Sequence, residues 1–215
     1  MRKNELSNGY YYHIMNKSIA GYTIFNSDFG CIRFINTLTY YLKDNPDLSY
    51  AHFLKLSAVD QSIFLNKHNA KDGIVDILAY CLMPTHFHLI LKQLVNKGVS
   101  RYVANILNSY TRYFNIKHNR KGPLWQGKFK NVLVESDEQL IHLTRYIHLN
   151  PVTSNLVDDP KDWEFSSYKE YINETDSKLC NFDILDIKQG AYKRFVLSQK
   201  NYQRELHLIK KQIIE

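Results

Sequence analysis

Cysteine is scarce in this chain of 215 residues. The three cysteines, Cys31, Cys81 and Cys180, are far apart in the sequence and form no Cys-x-x-Cys pair. An odd, scattered set of this kind argues against a disulfide framework and against a structural zinc site. It indicates a reducing compartment, and we therefore expect a cytoplasmic protein.

Long apolar runs are also missing. The most apolar stretch, residues 74–91, is interrupted by Asp76, His86 and His88, so it does not make a suitable membrane span. The first nine residues are polar, and no secretory signal is visible in them. A hydrophobic content of 44% is nevertheless sufficient for the core of one globular domain. The sequence thus predicts a soluble protein that has no membrane partner.

Acidic residues are absent from one long stretch. Positions 77–134 contain none, although the chain has 21 of them and a uniform distribution would place about five or six there. The same stretch contains nine of the 28 basic residues: Lys92, Lys97, Arg101, Arg112, Lys117, Arg120, Lys121, Lys128 and Lys130. The rest of the chain therefore has 19 basic and 21 acidic residues, and the formal net charge of +7 is concentrated in this stretch. Such regional charge indicates a surface that binds a polyanion, with a solvated basic surface that binds nothing as the alternative.

The periodicity of the apolar residues predicts an α+β domain. Strands are expected at residues 10–18, 74–83, 86–91 and 124–134, and helices at residues 28–42, 98–119 and 137–149. The strands on either side of Pro84 and Thr85 should form a hairpin. Ser136 is the predicted N-cap of helix 137–149, and Pro151 is expected to end that helix.

The pattern is weaker beyond residue 150. Residues 163–172 are predicted as a smaller packing element, and from residue 183 the chain is expected to be mostly helical. The apolar positions of this last region are Leu197, Leu206 and Ile209–Ile214, which lie among basic residues. Since no low-complexity linker precedes it, we predict one α+β domain that carries a C-terminal helical extension.

A histidine pair, His86 and His88, is the first candidate for chemistry. If its segment is a strand, both imidazoles project from one face, whereas Phe87 and Leu89 face the other side and anchor the strand in the core. Two such imidazoles can bind one cation, and without carboxylates that cation would stay positive enough to attract an anionic substrate oxygen. Taken alone, His-x-His also fits two half-buried histidines with ordinary hydrogen-bond partners.

The helix predicted at 137–149 has two distinct faces. Residues three and four positions apart form its expected buried stripe: Leu140, Leu143 and Ile147. His142, Tyr146 and Asn150 are each four positions apart and share a second face. A phenol with a pKa of ~10 is a poor nucleophile at neutral pH, but nearby positive charge or a metal-polarised phosphate makes its attack feasible. We interpret Tyr146 as a candidate nucleophile, Asn150 as an oxygen ligand and His142 as a polar partner, with an ordinary surface tyrosine as the alternative.

Four separated motifs point to one family. They are Ala79–Leu89 (AYCLMPTHFHL), Gly122–Phe129 (GPLWQGKF), Tyr146–Val152 (YIHLNPV) and Trp163–Tyr168 (WEFSSY). With these motifs in this order, residues 10–172 resemble the REP-associated tyrosine transposases, a branch of the single-tyrosine HUH transposases (IS200-like). The name HUH describes two histidines around a hydrophobic residue, which is Phe87 in this sequence.

The resemblance implies a fold and a set of site residues. The expected fold is an antiparallel sheet backed by helices, the ferredoxin/RRM-like HUH fold, with residues 1–172 as catalytic domain and 173–215 as the helical extension. Matched by position, His86 and His88 are expected to bind Mg²⁺ or Mn²⁺, Asn150 to complete the metal site, and Tyr146 to be the nucleophile. Two positions differ from the common pattern, since Thr85 replaces a frequent Asn and Lys128 a frequent Arg, but neither change removes a reacting group.

The implied activity is cleavage and rejoining of single-stranded or hairpin DNA through a 5′-phosphotyrosine. It would need no organic cofactor, and either a monomer or a homodimer is compatible with it. The predicted DNA-binding residues are Arg101, Arg112, Lys117, Arg120, Lys121, Trp125, Lys128 and Lys130. Phosphates would contact the basic residues, whereas Trp125 suits either base stacking or core packing. We assign Tyr110 and Phe114 to the core.

Two rival interpretations stay open from the sequence. One is a DNA-binding protein of the same fold that recognises hairpins without turning them over. The other is a metallohydrolase, in which the histidine pair acts with a carboxylate such as Asp76 and an activated water. This second rival is disfavoured because no carboxylate is close to His86 and His88 in the sequence.

Overall fold

The structure is a computed structural model, and it describes residues 6–25, 27–43, 46–186 and 188–200. Its strands are β1 (Tyr11–Lys17), β2 (Val75–Met83), β3 (His86–Gln93) and β4 (Lys130–Leu133). Its helices are α1 (Asp28–Tyr40), α2 (Tyr50–Phe53), α3 (Ala58–Asn69), α4 (Gly98–Lys117), α5 (Asp137–Thr153), α6 (Tyr168–Tyr171) and α7 (Gln189–Leu197). Short 3₁₀ turns lie at Ile19–Gly21, Pro160–Asp162 and Asp183–Leu185.

The strands of the described residues form one antiparallel sheet in the order β2-β3-β1-β4. The hairpin of β2 and β3 is confirmed, and its turn contains Pro84 and Thr85. Because β3 pairs with both β2 and β1, this histidine-bearing strand lies inside the sheet rather than at an edge. With helices after β1 and after β3, the order of elements is that of the ferredoxin-like motif, as predicted.

Each face of the sheet packs against its own helices. On one face, Phe87 and Leu89 are fully buried in a core that includes Phe34 of α1 and Tyr110 of α4. On the other face, a second core joins Ile90 of β3 to residues of α5, α6 and α7: Leu140, Ile147, Tyr168 and Tyr192. Each fully buried apolar side chain contributes roughly 1.5–3 kcal/mol. The alternation of side chains along β3 thus separates the core under α1 and α4 from the face that carries His86 and His88.

Helix α5 begins where the sequence predicts and ends later. The hydroxyl oxygen of Ser136 accepts a hydrogen bond from the backbone N–H of Gln139, which confirms the N-cap. The prediction that Pro151 ends this helix is wrong, because α5 continues to Thr153. A proline within a helix removes one backbone hydrogen bond. Here Pro151 and its neighbour Val152 are buried, so packing offsets that loss.

Two further expectations need correction. The strand predicted at 124–134 is shorter than expected and is restricted to β4. The Asn16 side chain donates a hydrogen bond to the Gly127 carbonyl oxygen. That oxygen would otherwise accept a backbone hydrogen bond in a continuous strand. The helices α2 and α3 were not predicted, since α2 has only four residues and α3 has only weak apolar periodicity. The predicted C-terminal helix is present as α7, whereas Leu206 and Ile209–Ile214 lie outside the described residues.

Candidate active site

The sheet places the two histidines of β3 side by side on one face. In the pairing of β1 with β3, His86 lies opposite Lys17 and His88 lies opposite Met15. The ring centroids of His86 and His88 are 5.1 Å apart, and their planes are nearly perpendicular. Phe87, which points to the other face, is fully buried. The predicted arrangement, a rigid pair of imidazoles anchored by the core, is therefore present.

Both imidazoles are neutral at pH 7. Burial lowers the pKa of His86 to about 4, and the nearby Lys17 ammonium adds to this effect. Burial also lowers the pKa of His88 well below its usual value, with further contributions from His13, His86 and Lys17. A neutral imidazole keeps one nitrogen lone pair, which is the form that binds a metal. The environment thus holds the pair in the state that a ligand needs.

Helix α5 brings Tyr146 next to His88. The Tyr146 ring centroid is 6.0 Å from that of His88 and 6.4 Å from that of His13, edge-on in both cases. The side chain is 39% exposed, so an external molecule can reach its hydroxyl. Burial raises the pKa of Tyr146, and the interaction with the Asn150 side chain opposes this rise. The phenol is consequently protonated at neutral pH until a substrate changes its surroundings.

Asn150 supplies a buried amide one turn after Tyr146. Its Nδ2 is buried and has no well-formed hydrogen bond, although the amide is near enough to Tyr146 to affect the pKa of the phenol. A half rotation of an amide exchanges its nitrogen and oxygen, so this position can equally present an oxygen. Nδ1 of His86 lies 3.1 Å from the Thr85 hydroxyl, and Nδ1 of His88 lies 2.9 Å from His13. The Nε2 atoms of both ligand candidates remain without a partner among the described residues, so the residues present fit a divalent cation.

His13 of β1 is a site residue that the sequence did not reveal. It is 8% exposed, it stacks on His88, and its Nε2 lies 2.9 Å from Nδ1 of His88. Burial lowers the pKa of His13 to about 4, so this imidazole is also neutral. In the sequence it lies 75 positions before His88, and only the pairing of β1 with β3 brings the two together.

A buried network fixes α5 in place. The two ring nitrogens of His148 lie 2.7 Å from the Tyr192 hydroxyl and 2.8 Å from the Ser167 hydroxyl. Ser167 in turn accepts a hydrogen bond from the backbone N–H of Tyr80 in β2. The motifs around Tyr146 and around Ser167 therefore meet in space, and the second holds the first against the sheet.

Comparison with known proteins shows similarity over part of the chain. Residues 59–150 match the family model "Transposase IS200 like". This match covers less than half of the chain, and over this range the chain is similar to the IS200-like transposases. A protein of Haemophilus influenzae named as a REP-associated tyrosine transposase is 28% identical over 103 residues, which cover 43% of this chain and 58% of that protein. The chain thus spans less than two thirds of the length of this curated relative.

A solved structure shares the fold of this chain. It is described as a REP-associated tyrosine transposase bound to a REP hairpin. The two structures superpose with a TM-score of 0.58 at 15% identity, over 85% of this chain and 94% of the other. The likeness confirms the α+β fold with an antiparallel sheet backed by helices. None of the described helices has the length and apolar run that crossing a membrane requires.

Part of the predicted set of basic DNA-binding residues lies beside the histidines. Lys130 of β4 pairs with Met15, which itself pairs with His88, so Lys130 is on the same face of the sheet. Lys128 and Lys130 line a cavity of about 200 Å³ together with Lys17, Gln126 and Gly127. Lys17, which was not predicted as a DNA-binding residue, lies opposite His86.

Two other predicted DNA-binding residues lie on the opposite face of the sheet. Arg112 and Lys117 are exposed on α4, which packs on the face opposite to the histidines. They line a groove of about 770 Å³, to which Arg33 of α1 and Lys55 also contribute. No carboxylate lines this groove within the part of the chain that the structure describes. The single basic stretch of the sequence is thus divided between two surfaces.

The remaining predicted residues have structural partners of their own. Arg120 donates to the side-chain oxygen of Asn115 and to the Pro123 carbonyl, so it bridges its own loop. Trp125 is half-buried, with its ring against Phe87 and its Nε1 donating to the Thr111 hydroxyl. Arg101 lies in the first turn of α4 and is half-buried, whereas Lys121 is exposed. DNA contacts by these four residues stay predictions.

Two other candidates lie away from the histidines. His142 is bonded to Arg145 and packs on Phe195, so it is not a polar partner of Tyr146. Asp76 is at the opposite end of the hairpin, because it pairs with Lys92, which is six residues after His86, or about 20 Å along the strand. The metallohydrolase interpretation thereby loses the carboxylate that it needs.

Proposed function

We propose that this chain is an IS200-like transposase, which cleaves and rejoins single-stranded DNA by using Tyr146 as the nucleophile. The observation that carries the proposal is the position of Tyr146, whose partly exposed ring lies 6.0 Å from that of His88. A tyrosine on an ordinary surface would have no reason to lie over two neutral, lone-pair-bearing imidazoles. The cytoplasmic location and the choice between monomer and homodimer stay predictions from the sequence.

The site would hold Mg²⁺ or Mn²⁺ through His86, His88 and Asn150. Bound there, the cation supplies charge that polarises a phosphate oxygen of the substrate. Because these ligands are all neutral, none of that charge is cancelled, and the phosphate diester is drawn to the site. Lys17 and Lys130, which lie on the same face of the sheet, add positive charge for the neighbouring phosphates.

The reaction of Tyr146 is an exchange of one ester for another. Its hydroxyl oxygen attacks the phosphorus atom and forms a P–O bond, while the bond from phosphorus to the 3′-oxygen of the preceding nucleotide breaks. The phenol loses a proton and the departing 3′-oxygen gains one, so no net proton is consumed. The phosphotyrosine keeps the energy of the broken bond, and a 3′-hydroxyl can later attack it to restore the strand.

We further propose that the DNA substrate contains a hairpin. A solved protein of this fold is bound to a REP hairpin, and this chain offers basic groups on two surfaces. In the groove of α4, the guanidinium of Arg33 covers the rings of Tyr50 and Tyr113, at 4.2 and 5.2 Å from their centroids. This groove is lined by basic side chains and lies on the face opposite to the histidines, so it suits the phosphates of a paired stem. The cavity of Lys128 and Lys130, next to the histidines, suits the unpaired segment that is cut.

The decisive experiment is a search for a covalent DNA adduct. A labelled hairpin with single-stranded flanks is incubated with the protein and Mn²⁺ and analysed on a denaturing gel. We expect an adduct that Tyr146→Phe abolishes, whereas Tyr10→Phe, which changes another exposed tyrosine, leaves it intact. Both variants should unfold at the temperature of the wild type, because neither hydroxyl has a strong partner in the fold.

The rival functions give different outcomes in the same experiment. Salt-sensitive hairpin binding without any adduct, under every metal condition, would replace the proposal with a DNA-binding protein that does not turn over. Free cleavage products without an adduct would indicate a metal-dependent phosphodiesterase. An adduct that persists in Tyr146→Phe would assign the nucleophile to another residue.

A further inference from the structure

We propose that His13 is a positioning residue, which holds His88 in the tautomer that leaves Nε2 open for the metal. The inference rests on the proposed function only in that it takes His86 and His88 as the metal ligands. His13 itself lies on β1, and its Nε2 faces the ring nitrogen of His88 that does not point into the site.

The contact between the two histidines is tightly constrained. Nε2 of His13 lies 2.9 Å from Nδ1 of His88, and the rings are stacked with centroids 5.1 Å apart and planes 22° apart. The two residues are 8% and 4% exposed, so water does not compete for this hydrogen bond. Both are carried by neighbouring strands of the sheet, which fixes the distance between their backbones. The interaction is thus a preformed part of the fold.

The proton in this hydrogen bond has two arrangements. If Nδ1 of His88 donates it, the neutral ring has its lone pair on Nε2 and can bind a cation. If Nε2 of His13 donates it, neutral His88 must carry its proton on Nε2, where it blocks a ligand. Metal binding through Nε2 therefore requires His13 to be the acceptor.

The other ligand candidate has a less selective neighbour. Nδ1 of His86 lies 3.1 Å from the Thr85 hydroxyl, which can either donate or accept and so does not select a tautomer. Histidine ligands of metals commonly give their second N–H to a carboxylate or a carbonyl. An imidazole acceptor in that place orients His88 without adding negative charge. The cation consequently keeps its full attraction for a phosphate.

Two substitutions of His13 separate the acceptor role from simple packing. In His13→Gln, the amide oxygen can occupy roughly the place of Nε2 and still accept from His88. In His13→Leu, the volume is largely kept but no acceptor remains. Both residues suit the buried position on β1, and circular dichroism with thermal unfolding checks that each variant is folded.

The test uses two readouts that do not depend on DNA cleavage. The first is ¹⁵N NMR of the histidine rings in the metal-free protein, in which we expect His88 to carry its proton on Nδ1. The second is Mn²⁺ affinity by calorimetry, which we expect to fall about 10–100-fold in His13→Leu and to stay within a few-fold of wild type in His13→Gln.

The proposal is overturned by any of three results. They are a wild-type His88 that carries its proton on Nε2, an unchanged Mn²⁺ affinity in His13→Leu, and an equal loss in His13→Gln and His13→Leu. The outcome of the adduct experiment with Tyr146→Phe is independent of these three results. A protein that binds Mn²⁺ in a His13-dependent way but forms no adduct would refute the proposed function and leave the role of His13 standing.

Discussion

Nε2 of His148 lies 2.8 Å from the hydroxyl oxygen of Ser167, and this contact joins the tyrosine helix to the sheet. His148 is on α5, two residues after Tyr146, whereas Ser167 follows the turn at Pro160–Asp162 and bonds to β2. Both residues are fully buried. The position of Tyr146 over the histidines therefore depends on a polar network that lies beneath it and does not itself meet the substrate.

Removing the Ser167 hydroxyl should destabilise the fold. In Ser167→Ala, the ring nitrogen of His148 and the backbone N–H of Tyr80 both lose a buried partner. Each such group costs about 1–3 kcal/mol in the free energy of unfolding. Ser166→Ala is the matched control, because its hydroxyl makes only two long contacts of 3.4 Å, and it should cost less. Equal losses in the two variants, measured by urea unfolding, would contradict a special role for this network.

Glu170 gives a prediction about pH. Burial raises the pKa of its carboxyl, although hydrogen bonds from the Cys180 backbone and the Ser177 hydroxyl oppose the rise. The folded protein thus binds the proton more tightly than the unfolded chain, so ionisation of Glu170 weakens folding as the pH rises from ~4.5 through the raised value. The free energy of unfolding of wild type, measured relative to Glu170→Gln, should therefore fall as the pH rises through this window. The slope should be no more than about 1.4 kcal/mol per pH unit.

The matched control for this pH effect is Glu174→Gln. Glu174 is exposed and paired with Lys193 on the surface, where an ion pair contributes little to the free energy of unfolding. Subtracting each variant from wild type at the same pH cancels the contribution of the buried histidines. A Glu170→Gln difference that is flat from pH 4.5 to 7.5 would refute the assigned cause.

Gly98 gives a prediction about packing. A Cβ at this position would lie 2.3 Å from the backbone carbonyl oxygen of Ile74, the residue directly before β2. Gly98→Ala must therefore move the start of α4 away from the sheet, at a cost of at least about 1–3 kcal/mol. Gly127→Ala is the control, because nothing lies within 4 Å of its Cβ position. Thermal unfolding that ranks the two variants equally would show that α4 adjusts without strain.

The part of the site that sequence could predict is the part that is local. The alternation of side chains along a strand places His86 and His88 on one face, and the four-residue spacing on a helix places Tyr146 near Asn150. Both relationships hold in the structure because each depends on one element only. Pro151 shows the limit of such local rules, since tertiary packing keeps α5 helical beyond it.

The part that sequence could not predict depends on which strands pair. His13 and Lys17 reach the site only because β1 lies between β3 and β4, and no periodicity within β1 encodes that order. The same holds for the basic stretch. Lys130 and Arg112 are 18 positions apart in one run of positive charge, yet they lie on opposite faces of the sheet. The sequence motif around Ser167 resembles one of the family motifs, but the contact between Ser167 and His148 depends on tertiary packing and could not be predicted from the motif.

The division of the basic residues leads to a prediction about DNA binding. Lys128→Gln with Lys130→Gln should weaken binding both to a short unpaired oligonucleotide and to a long-stemmed hairpin, because their cavity lies beside the histidines. Arg112→Gln with Lys117→Gln should weaken only the hairpin, because their groove lies on the face opposite to the histidines, where we place the paired stem. The slope of the logarithm of the binding constant against the logarithm of the salt concentration should also become shallower. The change should be about 0.7 for each lost phosphate contact on a single strand and about 0.9 on a duplex.

A control for net charge completes this experiment. Lys67→Gln with Lys193→Gln removes the same two charges, but these lysines are paired with Asp47 and Glu174 on other parts of the surface. We expect this variant to bind both DNAs almost as wild type does, as measured by fluorescence anisotropy from 50 to about 200 mM salt. If the control weakens binding as much as the Arg112 and Lys117 variant, the groove has no specific role and binding follows the total charge. If the groove variant also weakens the unpaired oligonucleotide, the groove follows single strands, and the stem must lie elsewhere.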